Sequence, residues 1–196
     1  MAGFGKWHRP ITLPLLKKWK GQKMPIEKIC IRKVQKDEVL ALMEISRKTF
    51  IESFGPVNTP ENMELYLAEN LCAGKLSSEL ANPGSEFHFA MKGEKPIGYL
   101  KLNLGEAQTY LKDGAAMEIE RIYVEKAYQG TGLGLMLLLK AMEIAKKKMA
   151  GFIWLGVWEQ NHKAIRFYQK QGFVEFGRHL FKLGNDFQTD LLMRLG

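Results

Sequence analysis

The stretch MEIERIYVEKAYQGTGLG, residues 117–134, constrains this chain more than any other. An apolar-rich strand runs through a short polar bend into a glycine-rich turn, and a long apolar segment follows. That order builds a cradle for phosphate. Gly130, Gly132 and Gly134 carry no Cβ, so the backbone there bends sharply and turns its N–H groups on one anion. A helix read from about Thr131 to Met149 adds its unpaired first-turn N–H groups and the positive end of its dipole. A pyrophosphate is expected to be held here largely by backbone.

Spacing sorts the nucleotide sites that share such a turn. A triphosphate loop needs Gly-x-x-x-x-Gly-Lys-Ser/Thr, and no Lys-Ser/Thr follows here, so the groups that hold a γ-phosphate and its magnesium are missing. A dinucleotide fingerprint needs an acid about 20 residues beyond the first glycine. Glu159, at the end of the next strand IWLGVWE, lies 29 residues after Gly130. Only one strand-helix-strand unit is visible, which is poor support for a dinucleotide fold.

At 196 residues, 46% of them hydrophobic and 11% aromatic, the chain suits one domain with a substantial core. Cys30 and Cys72 are far apart and form no Cys-x-x-Cys pair, so neither a disulfide framework nor a thiolate zinc site is expected, and a reducing cytoplasm fits. No long apolar run and no signal-peptide pattern stand out, so insertion in a membrane and secretion are not expected. His8, His88, His162 and His179 are scattered with no metal-ligand spacing, and no metal is expected.

The net charge of +8 invites a nucleic-acid reading, but six of the positives, Lys6, Arg9, Lys17, Lys18, Lys20 and Lys23, precede the first acid, Glu27. Without them the remainder carries +2. Residues 1–24 read as a basic, poorly ordered extension, and residues 25–196 as the domain. The extension is a basic interaction arm, a targeting segment poor in acids, or sequence upstream of a start at Met24. Lys146, Lys147 and Lys148 lie about 20 Å from the glycine turn at 1.5 Å per helical residue, where they complement the helix C-terminus.

EKICIRKV alternates as a strand, and DEVLALMEISRKTFIESF repeats Val39, Leu42, Ile45 and Phe50 at helical spacing up to Gly55-Pro56. Thr59 reads as an N-cap with Pro60 at the first helical position, and LSSELAN as a further short helix. EFHFAMK and PIGYLKLNL form a hairpin around residues 93–95. Leu111 to Gly114 reads as a loop. After the glycine turn and its helix come the strand IWLGV, a helix from Lys163 to Lys170, and the strand pair FVEFGRHLF and QTDLLMRL. The pattern alone gives an α/β fold with helices on both sides of a mixed sheet.

With Gln129-x-x-Gly132-x-Gly134, the downstream segment WEQNHKAIRFYQKQGF, residues 158–173, resembles the acetyl-coenzyme A site of the GNAT N-acetyltransferases. TFIESF, TPENMELYL, MEIERIYV, GFIWLGVWE, NHKAIRFYQKQGF and QTDLLM are similar, segment by segment, to the PaiA-type spermidine/spermine acetyltransferases. The likeness covers residue 25 to the C-terminus. It implies the GNAT fold: one domain with a central, mostly antiparallel mixed sheet flanked by helices. It also implies acetyl transfer from acetyl-CoA to a primary amine by direct attack in a ternary complex, with a polyamine as the acceptor. Ile122, Tyr123 and Val124 would follow pantetheine, and Gln129, Gly130, Thr131, Gly132, Leu133 and Gly134 would surround pyrophosphate. Asn161 would bond the pantetheine arm, Ala164 and Tyr168 would line it, and Lys170 or Arg166 would meet the nucleotide phosphate. The implied partners are acetyl-CoA and a small amine, with a homodimer as an option, and no membrane or nucleic acid.

The reaction calls for three more groups, which the chemistry and the resemblance together suggest. An amine with the pKa of lysine is neutral about one time in a thousand at pH 7, a cost of about 4 kcal/mol, so something must take its proton. Glu118 and Glu120 share one strand face beside the cofactor turn, and Glu120 is the first candidate for general base, Glu118 the alternative. By the family pattern, backbone N–H groups near Val124 would meet the oxyanion, left free by a splayed strand end. Tyr168 occupies the family position of the general acid that protonates the leaving thiolate. Glu52, Glu118, Glu120 and Glu159 are the acids available to a multiply charged amine. Three readings compete with the polyamine: a protein N-terminus or lysine, another small amine, or a cofactor-binding regulator with a nucleic-acid-binding arm.

Overall fold

A computed structural model describes residues 29–196. The basic extension at 1–24 lies outside the described residues. Seven strands form one sheet in the order β1-β2-β3-β4-β5-β7-β6. They are β1 (Ile29–Lys33), β2 (Ser85–Lys92), β3 (Lys95–Leu104), β4 (Ala116–Val124), β5 (Phe152–Trp158), β6 (Val174–Leu183) and β7 (Asp186–Leu195). Every neighbouring pair is antiparallel except β4 and β5. The parallel pair is the one that needs a long crossover, and α4 (Leu133–Lys147) supplies it.

One face of the sheet packs on α1 (Val39–Phe54), α2 (Pro60–Asn70) and α3 (Ala73–Ala81). Leu42, Ile45 and Phe50, on one face of α1, are buried in a cluster with Phe87, Phe89 and Tyr99. Thr59 caps α2 as the sequence suggests, its hydroxyl accepting from the Asn62 N–H at 3.3 Å. The other face packs on α4 and α5 (His162–Lys170), where Leu133, Leu137, Leu138, Ala141 and Ile144 form the buried stripe.

The long helix starts two residues later than the sequence pattern suggests, at Leu133. Gly130 and Gly132 hold φ of +79° and +93°, left-handed values that glycine takes without strain, and Gly132 is the N-cap. The helix also ends earlier, at Lys147, before Met149 turns left-handed. The last strand pair begins one residue late, at Val174, because Phe173 turns into the core.

Two irregularities in β4 shape the site. Arg121 pairs with Lys101 and Ile119 with Leu102, so Glu120 is an inserted residue, a β-bulge. Simple alternation would put Arg121 on the face opposite Glu120; the bulge brings both to the side of α1–α3. The second is a parting of the sheet. β4 and β5 pair only over Ala116–Phe152, Met117–Ile153 and Glu118–Trp154, and beyond that they diverge.

Candidate active site

The parted strands open a cavity of about 950 Å³ that runs through the sheet from one face to the other. On the α4–α5 face it is walled by Ile122 and Val124 of β4, by Gln129, Gly130, Gly132 and Gly134, and by Asn161, Ala164 and Tyr168, whereas the Tyr123 ring turns to the opposite face, against Phe50 and Phe54. Gln129 ties the turn together: its Nε2 donates to the Val124 carbonyl at 3.3 Å, and its Oε1 accepts from Lys163 Nζ at 3.1 Å. Asn161 uses Oδ1 to cap α5, accepting from the Ala164 N–H at 3.1 Å, which leaves its amide N–H₂ for a ligand. Backbone N–H groups at a helix N-terminus behind two left-handed glycines fit a pyrophosphate, and the gap between β4 and β5 fits an extended arm.

Four of the sequence-derived contacts lie outside the cavity wall: Thr131, Leu133, Lys170 and Arg166, the last exposed on α5. Leu133 is buried in the core with its side chain, and the Thr131 hydroxyl donates to the Tyr128 carbonyl at 2.7 Å, so both can offer a ligand only backbone. Lys170 stands exposed on the last turn of α5, away from the wall. Lys163, at the start of that helix, is the cation that reaches it.

Tyr168 projects from α5 between Phe167 and Phe173, with ring centroids 5.2 and 5.6 Å away, and borders the split. Burial pushes its phenol above the usual range, so it carries its proton throughout neutral pH.

On the α1–α3 face the cavity widens under aromatic rings. Phe54 lies 6.3 Å from Tyr123 and 6.4 Å from Trp158, and Phe50 stacks on Tyr66 at 4.3 Å. Below them is a buried charge network. Glu120 accepts from Lys101 Nζ and Asn103 Nδ2, both at 2.5 Å, and its other oxygen pairs with Arg121 at 3.0 Å. Arg121 and Lys101 also pair with Glu79 of α3 at 2.8 and 3.0 Å. Burial alone would raise the Glu120 carboxyl, but Arg121 and Lys101 outweigh it, and the group sits below the usual carboxylate range. Glu118 is nearly fully buried, accepting from the Thr109 N–H at 2.7 Å, from the Thr109 hydroxyl, and from Asn103 at 3.0 Å. Burial raises its pKa, and those hydrogen bonds offset part of the rise.

The structure therefore brings Glu118 and Glu120 together, as alternation suggests, but ties Glu120 into ion pairs that make it a weak proton acceptor. Of the other two acids, Glu52 accepts from the Lys126 N–H at 2.7 Å and Glu159 pairs with Arg178 at 3.3 Å, and neither lines the cavity. Glu79 and Asp190 line it instead. Sequence reading missed both. A lysine inside the apolar strand PIGYLKLNL was the one available signal that a buried acid had to face it.

This arrangement can be set against known proteins. The model of the acetyltransferase (GNAT) family matches residues 39–173. The chain belongs to the GNAT acetyltransferases. An uncharacterized N-acetyltransferase in the pepI 3′ region of Lactobacillus delbrueckii subsp. lactis is 40% identical over 164 residues, 84% of this chain and 95% of the relative. The spermidine N(1)-acetyltransferase of Thermoplasma acidophilum is 26% identical over 147 residues, 73% and 86% of the two chains. Among solved structures, the PaiA N-acetyltransferase of T. acidophilum in complex with coenzyme A superposes with a TM-score of 0.67 at 25% identity, covering 85% of this chain and 97% of that one. This GNAT acetyltransferase is thus an acyltransferase acting on nitrogen. Among the described residues no helix is long and apolar enough to cross a membrane.

Proposed function

We propose that this enzyme transfers the acetyl group of acetyl-CoA to a primary amine of a polyamine such as spermidine or spermine. The observation that carries the reading is charge in the acceptor half of the cavity. Lys101 and Arg121 are matched against Glu79 and Glu120, while Glu118 and Asp190 have no cationic partner among the described residues. Glu118 is buried and Asp190 half-buried, a carboxylate shielded from water without a counter-ion is costly, and a multiply charged amine supplies one. The aromatic wall favours the same ligand, since a cation over such rings gains about 0.5–2 kcal/mol. The likeness to a spermidine acetyltransferase agrees.

In this reading acetyl-CoA lies with its pyrophosphate on the backbone of 129–134 and its arm in the gap between β4 and β5. The amine approaches from the aromatic side. Backbone N–H groups of β4 near Val124, free of β5 because the strands part, take the charge that develops on the carbonyl oxygen. Tyr168 delivers a proton to the leaving sulfur. Glu120, held by Lys101 and Arg121, keeps those cations from repelling the acceptor.

The test is thiol release from acetyl-CoA with spermidine, spermine, a lysine peptide and no amine. Turnover with a polyamine well above that with the peptide is the expected result. Turnover with the peptide alone would replace the polyamine with a protein lysine.

A further inference from the structure

The reaction needs a proton acceptor, and the acids of the cavity differ in whether their oxygens are free. Glu118 is bonded by Thr109 and Asn103, and Glu120 and Glu79 by Lys101 and Arg121. Asp190 lines the same cavity with neither a hydrogen bond nor an ion pair from its side chain among the described residues. It stands on β7, opposite Trp158 of β5 and His179 of β6.

The neighbouring strand shows why this carboxylate reaches the chemistry. Trp154, Gly156 and Trp158 alternate along one face of β5. At Gly156 a Cβ would come within 3.1 Å of Asp190 Oδ2, so the carboxylate leans over β5 at the point where the glycine leaves it room. β5 is itself one lip of the split. Asp190 therefore sits about one strand spacing, roughly 5 Å, from the gap in which the thioester is to lie, on the side from which the amine arrives.

We propose that the Asp190 carboxylate takes the proton from the acceptor ammonium. The assignment rests on the reading of the acceptor as an amine, and not on its being a polyamine. One N–H bond of the ammonium breaks and its proton passes to Asp190. The freed lone pair forms the C–N bond at the thioester carbon, the C–S bond breaks, and the sulfur takes the Tyr168 proton. The second proton of the new amide nitrogen restores Tyr168, and Asp190 returns the first to solvent.

Burial pushes Asp190 up to about 6, close to the working pH and more than tenfold more basic than an ordinary aspartate. The charged and titratable groups that line the same cavity include His179 and Lys182 on β6, Glu118, Glu120 and Arg121 on β4, and Tyr110. None of these pairs with it.

The experiment is the pH dependence of kcat from pH 5 to 9, with the best acceptor among spermidine, spermine and a lysine peptide, for wild type, Asp190→Asn and Asp190→Glu. Wild type is expected to show an acid limb near pH 6 and a plateau above it. Asp190→Asn should lose about 100-fold at pH 7 and replace the plateau with a rate that keeps rising with pH. Asp190→Glu should recover at least tenfold, and acetyl-CoA affinity should stay within about twofold in all three. An even loss across the range with the limb intact would make Asp190 a structural residue, and full turnover in Asp190→Asn would remove it altogether. Wild type that accepts no amine in the panel overturns the amine reading and this assignment together, whereas the other two failures leave the amine reading standing.

Discussion

At the scale of single residues, an unpaired, half-buried carboxylate has a cost that can be measured without turnover. The Asp190 pKa is about 6 in the folded chain, above its ordinary value of 3.8. The native state therefore binds the proton more tightly than the unfolded state. Stability from this group is fully present below about pH 4 and is lost as pH rises through 6, a change of up to ~3 kcal/mol. Asp190→Asn should raise the melting temperature at pH 8 and leave it nearly unchanged at pH 4, a comparison that calorimetry makes directly. Tyr168 gives the complementary case. Its phenol borders the split without anchoring the cofactor turn, so Tyr168→Phe should lower kcat about 10- to 100-fold while acetyl-CoA affinity, read by calorimetric titration, changes little. If kcat holds, the thiolate is protonated by water.

At the scale of elements, the cofactor turn and the acceptor cavity are built by different parts of the chain and should fail separately. Gly132 is the left-handed N-cap of α4. Gly132→Ala forces a Cβ into that conformation at a cost of about 1–2 kcal/mol and tilts the N–H groups that face the pyrophosphate. It should weaken acetyl-CoA binding at least tenfold. The acceptor side is closed by the tip of the β6–β7 hairpin, where the Asn185 N–H donates to Asn62 Oδ1 of α2 at 2.8 Å. Asn62→Ala removes that acceptor, worth about 1 kcal/mol. It should raise KM for the amine while leaving acetyl-CoA binding within about twofold.

The same division explains what the sequence made legible. The glycine turn, the Thr59 cap and the Asn161 cap are local devices whose residues lie within a few positions of the groups they serve. They could be read directly. The acceptor cavity joins Glu79 of α3, Lys101 of β3, Arg121 of β4 and Asp190 of β7, and nothing local ties them. Arg121 was hidden further by the bulge at Glu120, which reverses the face that alternation assigns it. Among the strands, β7 enters between β5 and β6. That order follows from the long-range pairing of Trp158 with Asp190, and no periodicity announces it.

At the scale of the whole molecule, the sheet separates two large cores, one under α4 and one under α1, and its central pair, β4 and β5, is joined only at one end. A ligand lying in the gap and touching both halves stabilises the folded chain by mass action. Acetyl-CoA at a hundred times its Kd should add ~2.7 kcal/mol, or roughly 5–10 °C in Tm. Coenzyme A without the acetyl group should give most of that shift, because the proposed contacts are to the pyrophosphate and the arm.

The split has a consequence for how the protein breathes. A seven-stranded sheet is ordinarily most protected at its middle, with solvent exchange confined to the outermost strands. Here the gap-facing amides of residues 119–124, on the central strand, lack a partner across the gap and should trade their hydrogens with deuterated water as fast as those of a rim strand. Addition of acetyl-CoA should slow them, while the amides of β1, the outer strand on that side, keep their rate.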